Sequence, residues 1–157
     1  MNLKGDLIIG VELRITTIKI CYLNNKGYFL DNDELNSPHP LTPGSMVVEL
    51  CEHLEIQNKT RALKSLGVSL PASIDCQSRI VKKSNSLEGW LDVPLADWLE
   101  TRLTTPVILG NTKKCEFLGR KFRSTSVCSS NGSVAAMGMA RLAYSRFLSN
   151  VSTFKAG

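Results

Sequence analysis

The sequence predicts an α/β fold built on one mixed sheet, with strands and helices in the order βββαβαβ and helices flanking the sheet. Three observations lead there. The amino-terminal segment up to Leu30 holds three β-rich runs separated by tight turns, with no room for a helix between them, so these strands pair antiparallel. From Met46 onward, segments of helical period alternate with short apolar runs, as in strands joined by helical crossovers. A chain of 157 residues, 43% hydrophobic and 21% charged, supports one core and is neither disordered nor fibrous.

Taken in order, Leu7 to Leu13 is an apolar run rich in β-branched residues, and Ile15 to Leu23 alternates as a second strand. Asn24 to Gly27, "NNKG", supplies the turn into a third strand at Tyr28 to Leu30. "DNDELNSPHPLTPG" follows, contains three prolines and reads as a loop. Met46 to Ile56 places Val47, Leu50, Cys51 and Leu54 opposite Glu49, Glu52 and Glu55, an amphipathic helix. Ser65 to Leu70 is a strand ending at Pro71, and Arg79 to Lys83 is a short strand beyond a turn at Asp75. "GWLDVPLADWLETRL" marks a second helix, with Asp92 as its cap, Pro94 in its first turn, and Leu95, Trp98, Leu99 and Leu103 as its apolar stripe. Pro106 to Gly110 is the last strand and runs into a polar turn with Asn111 at its mouth. "RKFRSTSVCSSNGS" is turn-rich. Ser133 to Ser149 carries Ala136, Met139, Ala140, Ala143 and Phe147 on one side and reads as a helix, with Gly138 counting against it. The chain therefore divides into residues 1–122 and a basic tail, 123–157.

The charge distribution supports that division. Residues 1–110 carry 11 basic and 13 acidic side chains, whereas residues 111–157 carry 8 basic and 1 acidic. The tail's cations are interleaved with Ser, Thr and Ala rather than with stacking aromatics. It reads as a solvated face, with weak, salt-sensitive contact to nucleic acid or phosphates as the alternative. No apolar run approaches the roughly 20 residues that cross a bilayer, and no cleavage site follows "MNLKGDLIIGVEL", so a cytoplasmic location is expected. Cys21, Cys51, Cys76, Cys115 and Cys128 are odd in number and form no CxxC pair, which predicts free thiols, no disulfide framework and no metal site. Cys115 reads as an idle thiol before it reads as a nucleophile. His39 lies between prolines and His53 lies on the charged face of the first helix, so neither is placed to activate it.

The segment "GWLDVPLADWLETRLTTPVILGN", Gly89 to Asn111, resembles the ROK family of sugar kinases (repressor, open reading frame, kinase), cyanobacterial glucokinase-like members in particular. The resemblance covers about residues 7–122. It implies the amino-terminal lobe of a ribonuclease H-like, actin-like ATPase fold, and phosphoryl transfer from ATP or polyphosphate to glucose or a related hexose. The family's phosphate-wrapping hairpin reads Asp-x-Gly-Gly-Thr, and here the phrase is "ELRITTIK". Glu12 replaces the Asp and Arg14 and Ile15 replace the glycines, leaving Thr16, Lys19 and Arg14 as candidate phosphate-binding residues. Losing glycines where backbone N–H groups must approach an anion favours an ordinary hairpin.

The family's sugar-pocket motif, Gly-x-Pro-Gly-x-x-Asp, corresponds to "SLPASID": Pro71 and Asp75 match, while Ser69 and Ala72 replace glycines. A further sugar contact, an Asn in the family, falls on Ser86, with Asn85 one place away. Asn111 keeps the position of the residue that orients the sugar. The resemblance thus implies Asn111, Pro71, Ala72, Asp75, Ser86 and Asn85 as candidate sugar-binding residues.

Thr112 stands where the family places its catalytic Asp. A base there contributes typically 10²–10⁴-fold, and a threonine hydroxyl does not take a proton at neutral pH. Lys113 and Lys114 are acids rather than bases. The resemblance therefore implies a catalytically impaired or inactive pseudoenzyme with no assigned catalytic residue and no metal ligand. ATP and magnesium are its cofactors only where activity remains. Two alternatives stand beside that reading. One is an active hexose kinase completed by self-association or a partner subunit, with Asp75 or Glu116 supplying the carboxylate; the other is a non-catalytic sugar-binding or regulatory module. The family's second-lobe motifs do not occur in this sequence, so it reads as truncated, and an unpartnered lobe exposes apolar surface suited to a homodimer. "GSVAAMGMARLAYSRFL" resembles the closing helix of such kinases brought in by an internal deletion; a chance alanine-rich helix is the other reading. Family repressors carry a helix-turn-helix ahead of the lobe, and a first strand at Leu7 leaves no space for one, so sequence-specific DNA binding is not expected.

Overall fold

A computed structural model describes residues 5–57, 62–123 and 132–156. Two hairpins begin it: β1 (Leu7–Leu13), β2 (Thr17–Asn24) and β3 (Phe29–Asn36) pair antiparallel in sequence. Helix α1 (Pro43–Gln57) then crosses over to β4 (Leu63–Leu70), which lies parallel to β1 on its other side. Beyond β4, three short strands, β5 (Ser73–Asp75), β6 (Ile80–Lys83) and β7 (Leu91–Val93), form a small antiparallel sheet. Helix α2 (Leu95–Leu103) returns the chain to β8 (Val107–Asn111), parallel to β4. The main sheet has the order β3-β2-β1-β4-β8. Helices α3 (Thr112–Arg123) and α4 (Val134–Ala156) complete the chain.

Strand alternation sorts the core into two layers. From β1, Leu7, Ile9, Val11 and Leu13 join Met46, Leu50 and Leu54 of α1 and Leu95 and Leu99 of α2 in the larger core. Ile8 points to the other face and packs with Cys21, Leu23, Ala136, Met137, Ala140 and Ala143 under α4. This second layer depends on Gly10: a methyl there would fall on the Ala136 carbonyl and the Ala140 backbone. Gly138, which counted against a helix, answers the same demand between α3 and α4, where a methyl would meet the Cys115 carbonyl. The propensity cost of a helical glycine, about 1 kcal/mol, is offset by that close approach.

Several local expectations are corrected. The third strand runs on through Asp31–Asn36, six residues read as loop, because an edge strand tolerates polar side chains while its backbone pairs with β2 from Thr17↔Asn36 to Leu23↔Phe29. Asp92 does not cap α2: it takes φ 51° within β7, pairs with Lys82 at 2.9 Å, and leaves Pro94 at the cap. Trp98 is 43% exposed, and Ala96 is buried beside Leu95 and Leu99 instead. The polar turn after the last strand is the first turn of α3. The helix expected at 133–149 is present and longer, as α4, and the apolar side expected of it covers the sheet. His53, expected on the charged face of α1, has its Nε2 2.6 Å from Asp33 Oδ2. Cys128 and the turn-rich reading of 124–131 lie outside the described residues. No helix among the described residues is long and apolar enough to cross a membrane.

Candidate functional site

The parallel strands β1, β4 and β8 end at one edge of the sheet, where α/β folds place their ligands. Leu70 and Asn111 are the last paired residues of β4 and β8. Just past them, the Ala72 N–H donates to the Leu70 carbonyl at 2.9 Å, turning the chain out of the sheet at Pro71. Asn111 grips this turn from one side: its Nδ2 donates to the Ala72 carbonyl at 2.8 Å, and its Oδ1 accepts from the Lys113 N–H at 3.0 Å. It is thereby the amino-terminal cap of α3 as well as a brace for the turn. Ser84 grips from the other side, donating to the Pro71 carbonyl at 2.7 Å and accepting from the Leu87 and Ser86 N–H groups.

Between these two braces opens a cleft of about 660 Å³, a size within the range of small-ligand sites. Pro71, Ala72, Asn85, Ser86, Asn111 and Thr112 all line it, so five of the six expected sugar residues and the expected base position come together. Ala72 adopts no positive φ, so the turn does not require the family's glycine. Thr112 Oγ1 is buried and has no hydrogen-bond partner among the described residues. Such an atom favours a ligand hydroxyl that satisfies it.

Asp75 stays outside the cleft lining. Its Oδ1 accepts from the Gln77 and Ser78 N–H groups in the β5–β6 turn. Hydrogen bonds from Ser78 and Gln77 hold its carboxyl below the usual range. Its neighbour in the sequence expectations, Glu116, does line the cleft, one helical turn beyond Thr112 on the same face of α3. Lys83 and Lys113 line it too. Ser84, the brace, was missed by sequence reasoning, although the run Ser84-Asn85-Ser86 is the kind of cluster that builds side-chain-to-backbone turns.

The phosphate side is arranged differently. Arg14 N donates to the Thr17 carbonyl at 2.9 Å, closing the β1–β2 hairpin without a positive φ at its tip, where Ile15 is exposed. Glu12 is buried, accepts from Ser133 Oγ at 2.6 Å and pairs with Arg14 at 3.0 Å. Ser133 Oγ in turn accepts from the Ala136 N–H at 3.0 Å, capping α4. Lys19 is 3.7 Å from Glu34 and lines a separate cavity of about 380 Å³ with Asn32, Asp33 and Ser133. Thr16 is exposed beside Ile15. Arg14, Thr16 and Lys19 therefore do not converge on the cleft. The residues present do not fit a nucleotide's phosphates, because the acid is occupied and the tip presents a β-branched side chain where backbone N–H groups are needed.

The remaining reactive groups are structural. Cys115 is buried, its thiol pushed up to about 12 by burial and then by Glu12 and Glu116, and its Sγ lies 3.0 Å from Met139 Sδ. That favours the idle thiol over a nucleophile. Burial, reinforced by Asp33, raises the Tyr22 hydroxyl well above its ordinary value, and Asp33 joins Tyr22 to His53. Cys51, Cys76 and Cys115 are free, and no cluster of three or more metal-ligating side chains exists among the described residues.

Comparison with known proteins bears on the fold and the family. The chain is 27% identical over 120 residues to a glucokinase of Halalkalibacterium halodurans, and 28% identical over 116 residues to a glucokinase of Thermotoga maritima. Each alignment covers 73% of this chain and 36% of the relative, so the chain spans about a third of their length. Among solved structures it is similar to a ROK family glucokinase from Streptomyces griseus in complex with glucose and AMPPNP (TM-score 0.63, 22% identity), covering 74% of this chain and 36% of that one. It is also similar to an inorganic polyphosphate/ATP-glucomannokinase from an Arthrobacter strain (TM-score 0.60, 23% identity), covering 80% and 51%. These likenesses show the actin-like ATPase fold, as expected. The sequence model of the ROK family matches residues 8–135, well beyond half the chain and past the expected limit at 122, and the chain belongs to that family.

Proposed function

We propose that this chain is a hexose-recognising lobe of sugar-kinase type in which phosphoryl transfer is impaired. The observation that carries the reading is the convergence of Pro71, Ala72, Asn85, Ser86 and Asn111 on one cleft, with Thr112 at the base position. Asn and Ser side chains offer donors and acceptors suited to a polyol, and the unpartnered Thr112 Oγ1 adds another. Impairment rests on two features. The expected base is a hydroxyl, and the hairpin expected to hold phosphates has its acid engaged by Ser133 and Arg14. ATP and magnesium enter only as partners of a residual activity, and the free thiols suit a cytoplasmic protein. In this reading α4 is the family's closing helix, folded back on the lobe.

Calorimetric titration with glucose, then with ATP and magnesium, tests it. Heat with glucose that is lost in Asn85→Ala, at unchanged melting temperature, is the expected result, together with phosphoryl transfer below about 1 s⁻¹, the low end for kinases. Faster turnover overturns the impairment; no binding of glucose, or of a charged glucose derivative, by folded protein overturns the sugar site.

A second reading has one observation in its favour, the presence of Glu116 in the cleft lining. It makes the protein a hexose kinase completed by a second copy or a partner subunit, with Glu116 as the base. Turnover abolished by Glu116→Gln but retained in Asp75→Asn is its signature.

A further inference from the structure

The cleft differs from a neutral polyol site in its charge. Thr112 brings no negative charge to the position where a carboxylate is expected. Lys83, at the end of β6, and Lys113, in the first turn of α3, bring two ammonium groups to the lining. Neither lysine has an ion-pair partner among the described residues. Lys82, the neighbour of Lys83 on the opposite side of the same strand, shows the contrast, being paired with Asp92 at 2.9 Å. The carboxylate that lines the cleft, Glu116, has the Arg120 guanidinium 4.0 Å away on the next turn. Cations therefore outnumber anions in a concave wall whose other polar atoms are the hydroxyl and amide groups of Ser73, Asn85, Ser86, Asn111 and Thr112. Concave sites lined by one sign of charge concentrate ligands of the other sign.

We infer that the cleft takes a monosaccharide bearing an anionic substituent, a phosphate or a carboxylate, in preference to a neutral hexose. The inference rests on the proposed sugar site and names its ligand class. Lys83 and Lys113 hold the anionic group while the amides and hydroxyls take the ring hydroxyls. A charge-assisted hydrogen bond is about twice as strong as a neutral one, so one engaged lysine is worth about tenfold in affinity.

Four probes decide it by calorimetry at low ionic strength: glucose, glucose 6-phosphate, glucuronate and inorganic phosphate. The expected result is that glucose 6-phosphate or glucuronate binds about tenfold or more tightly than glucose. That advantage shrinks in Lys83→Met and Lys113→Met, exposed positions whose apolar stems are retained, and shrinks again on raising salt toward 0.5 M. The stronger of the two charged sugars identifies the anionic group. Glucose binding as tightly as either overturns this inference and leaves the hexose reading standing. Inorganic phosphate binding as tightly as glucose 6-phosphate reduces the site to an ion site and also overturns it. Silence from all four, with folded protein, removes the hexose reading and this inference together.

Discussion

The two sides of one sheet edge are built in opposite ways. At the ends of β4 and β8, Asn111 and Ser84 brace a turn and leave a cleft open between them. At the end of β1, the hairpin closes on itself and its acid is buried under the start of α4. The first side keeps polar groups available to a ligand; the second turns them inward as fold-stabilising contacts. One half of the edge can close by packing while the other half stays open, because the two halves rest on different braces.

The closed side is expected to be the more costly to disturb. Gly10→Val drives side-chain atoms into the Ala136 carbonyl and the Ala140 backbone, neither of which rotates away. A loss of about 3 kcal/mol or more is expected in urea unfolding, with the α4 layer lost first. A variant as stable as the parent would mean that α4 does not lie on β1. Ser133→Ala follows. It removes the α4 cap and one of the two partners of a buried carboxylate, for about 2–3 kcal/mol, or about 5–10 °C in melting temperature. On the open side, Ser84→Ala costs only about 1–2 kcal/mol but releases the loop that carries Asn85 and Ser86, so sugar binding falls by more than stability does. Equal losses of stability from Ser133→Ala and Ser84→Ala, with binding intact in both, would erase the contrast.

The thiols provide a chemical check on burial. Burial pushes Cys51 up to about 11 and Cys115 up to about 12, whereas Cys76 is exposed. At pH 8 the two buried groups are protonated and unreactive, so iodoacetamide labels Cys76 alone among these three. The sign of the accompanying stability change follows by linkage. Unfolded thiols ionise near 9, below the folded values, so the unfolded state releases protons first as pH rises. The two buried thiols therefore contribute stability that is full below about pH 9 and declines from there toward about pH 11 for Cys51 and about pH 12 for Cys115. A double Cys51→Ser, Cys115→Ser variant should show a flatter alkaline limb.

What the sequence made legible follows the same division. The β1 and β4 strands, α1 and the turn at Asn24 carry local patterns, and each stands where its periodicity placed it. The extension of β3 did not show, since Asp31 to Glu34 have no strand propensity and are held by pairing with β2. The first turn of α3 was hidden by Asn111 itself, because an Asn before a polar run signals a turn and a helix cap equally well. On the open side, Asn85, Ser86 and Asn111 came from the resemblance, and the fold gathers them. Asp75 came with them and is carried off by β5 into its own turn. On the closed side the lost glycines already favoured an ordinary hairpin, but what seals it did not show: Ser133 and Glu12 are 121 residues apart, and no local pattern links a cap to a buried acid at that distance.

The smallest expected change is the most discriminating. Thr112→Asp restores a carboxylate at the first helical position of α3, directly after its cap. An acid in the first turn gains about 0.3–1 kcal/mol from the helix dipole, and the desolvation of a carboxylate where the Thr112 hydroxyl is buried offsets that gain, so a melting temperature close to the parent's is expected. If the missing base were the whole of the impairment, this one change would recover activity by a factor on the order of 10² or more. The proposed impairment predicts otherwise, because the hairpin has Glu12 engaged and Ile15 exposed at its tip. The expected outcome is therefore a protein of about parental stability with phosphoryl transfer unchanged and with weaker binding of a charged sugar, since the new carboxylate repels the anion. A recovery of turnover would show that the hairpin admits phosphates, and that its closure by Glu12, Ser133 and Arg14 is no barrier to transfer.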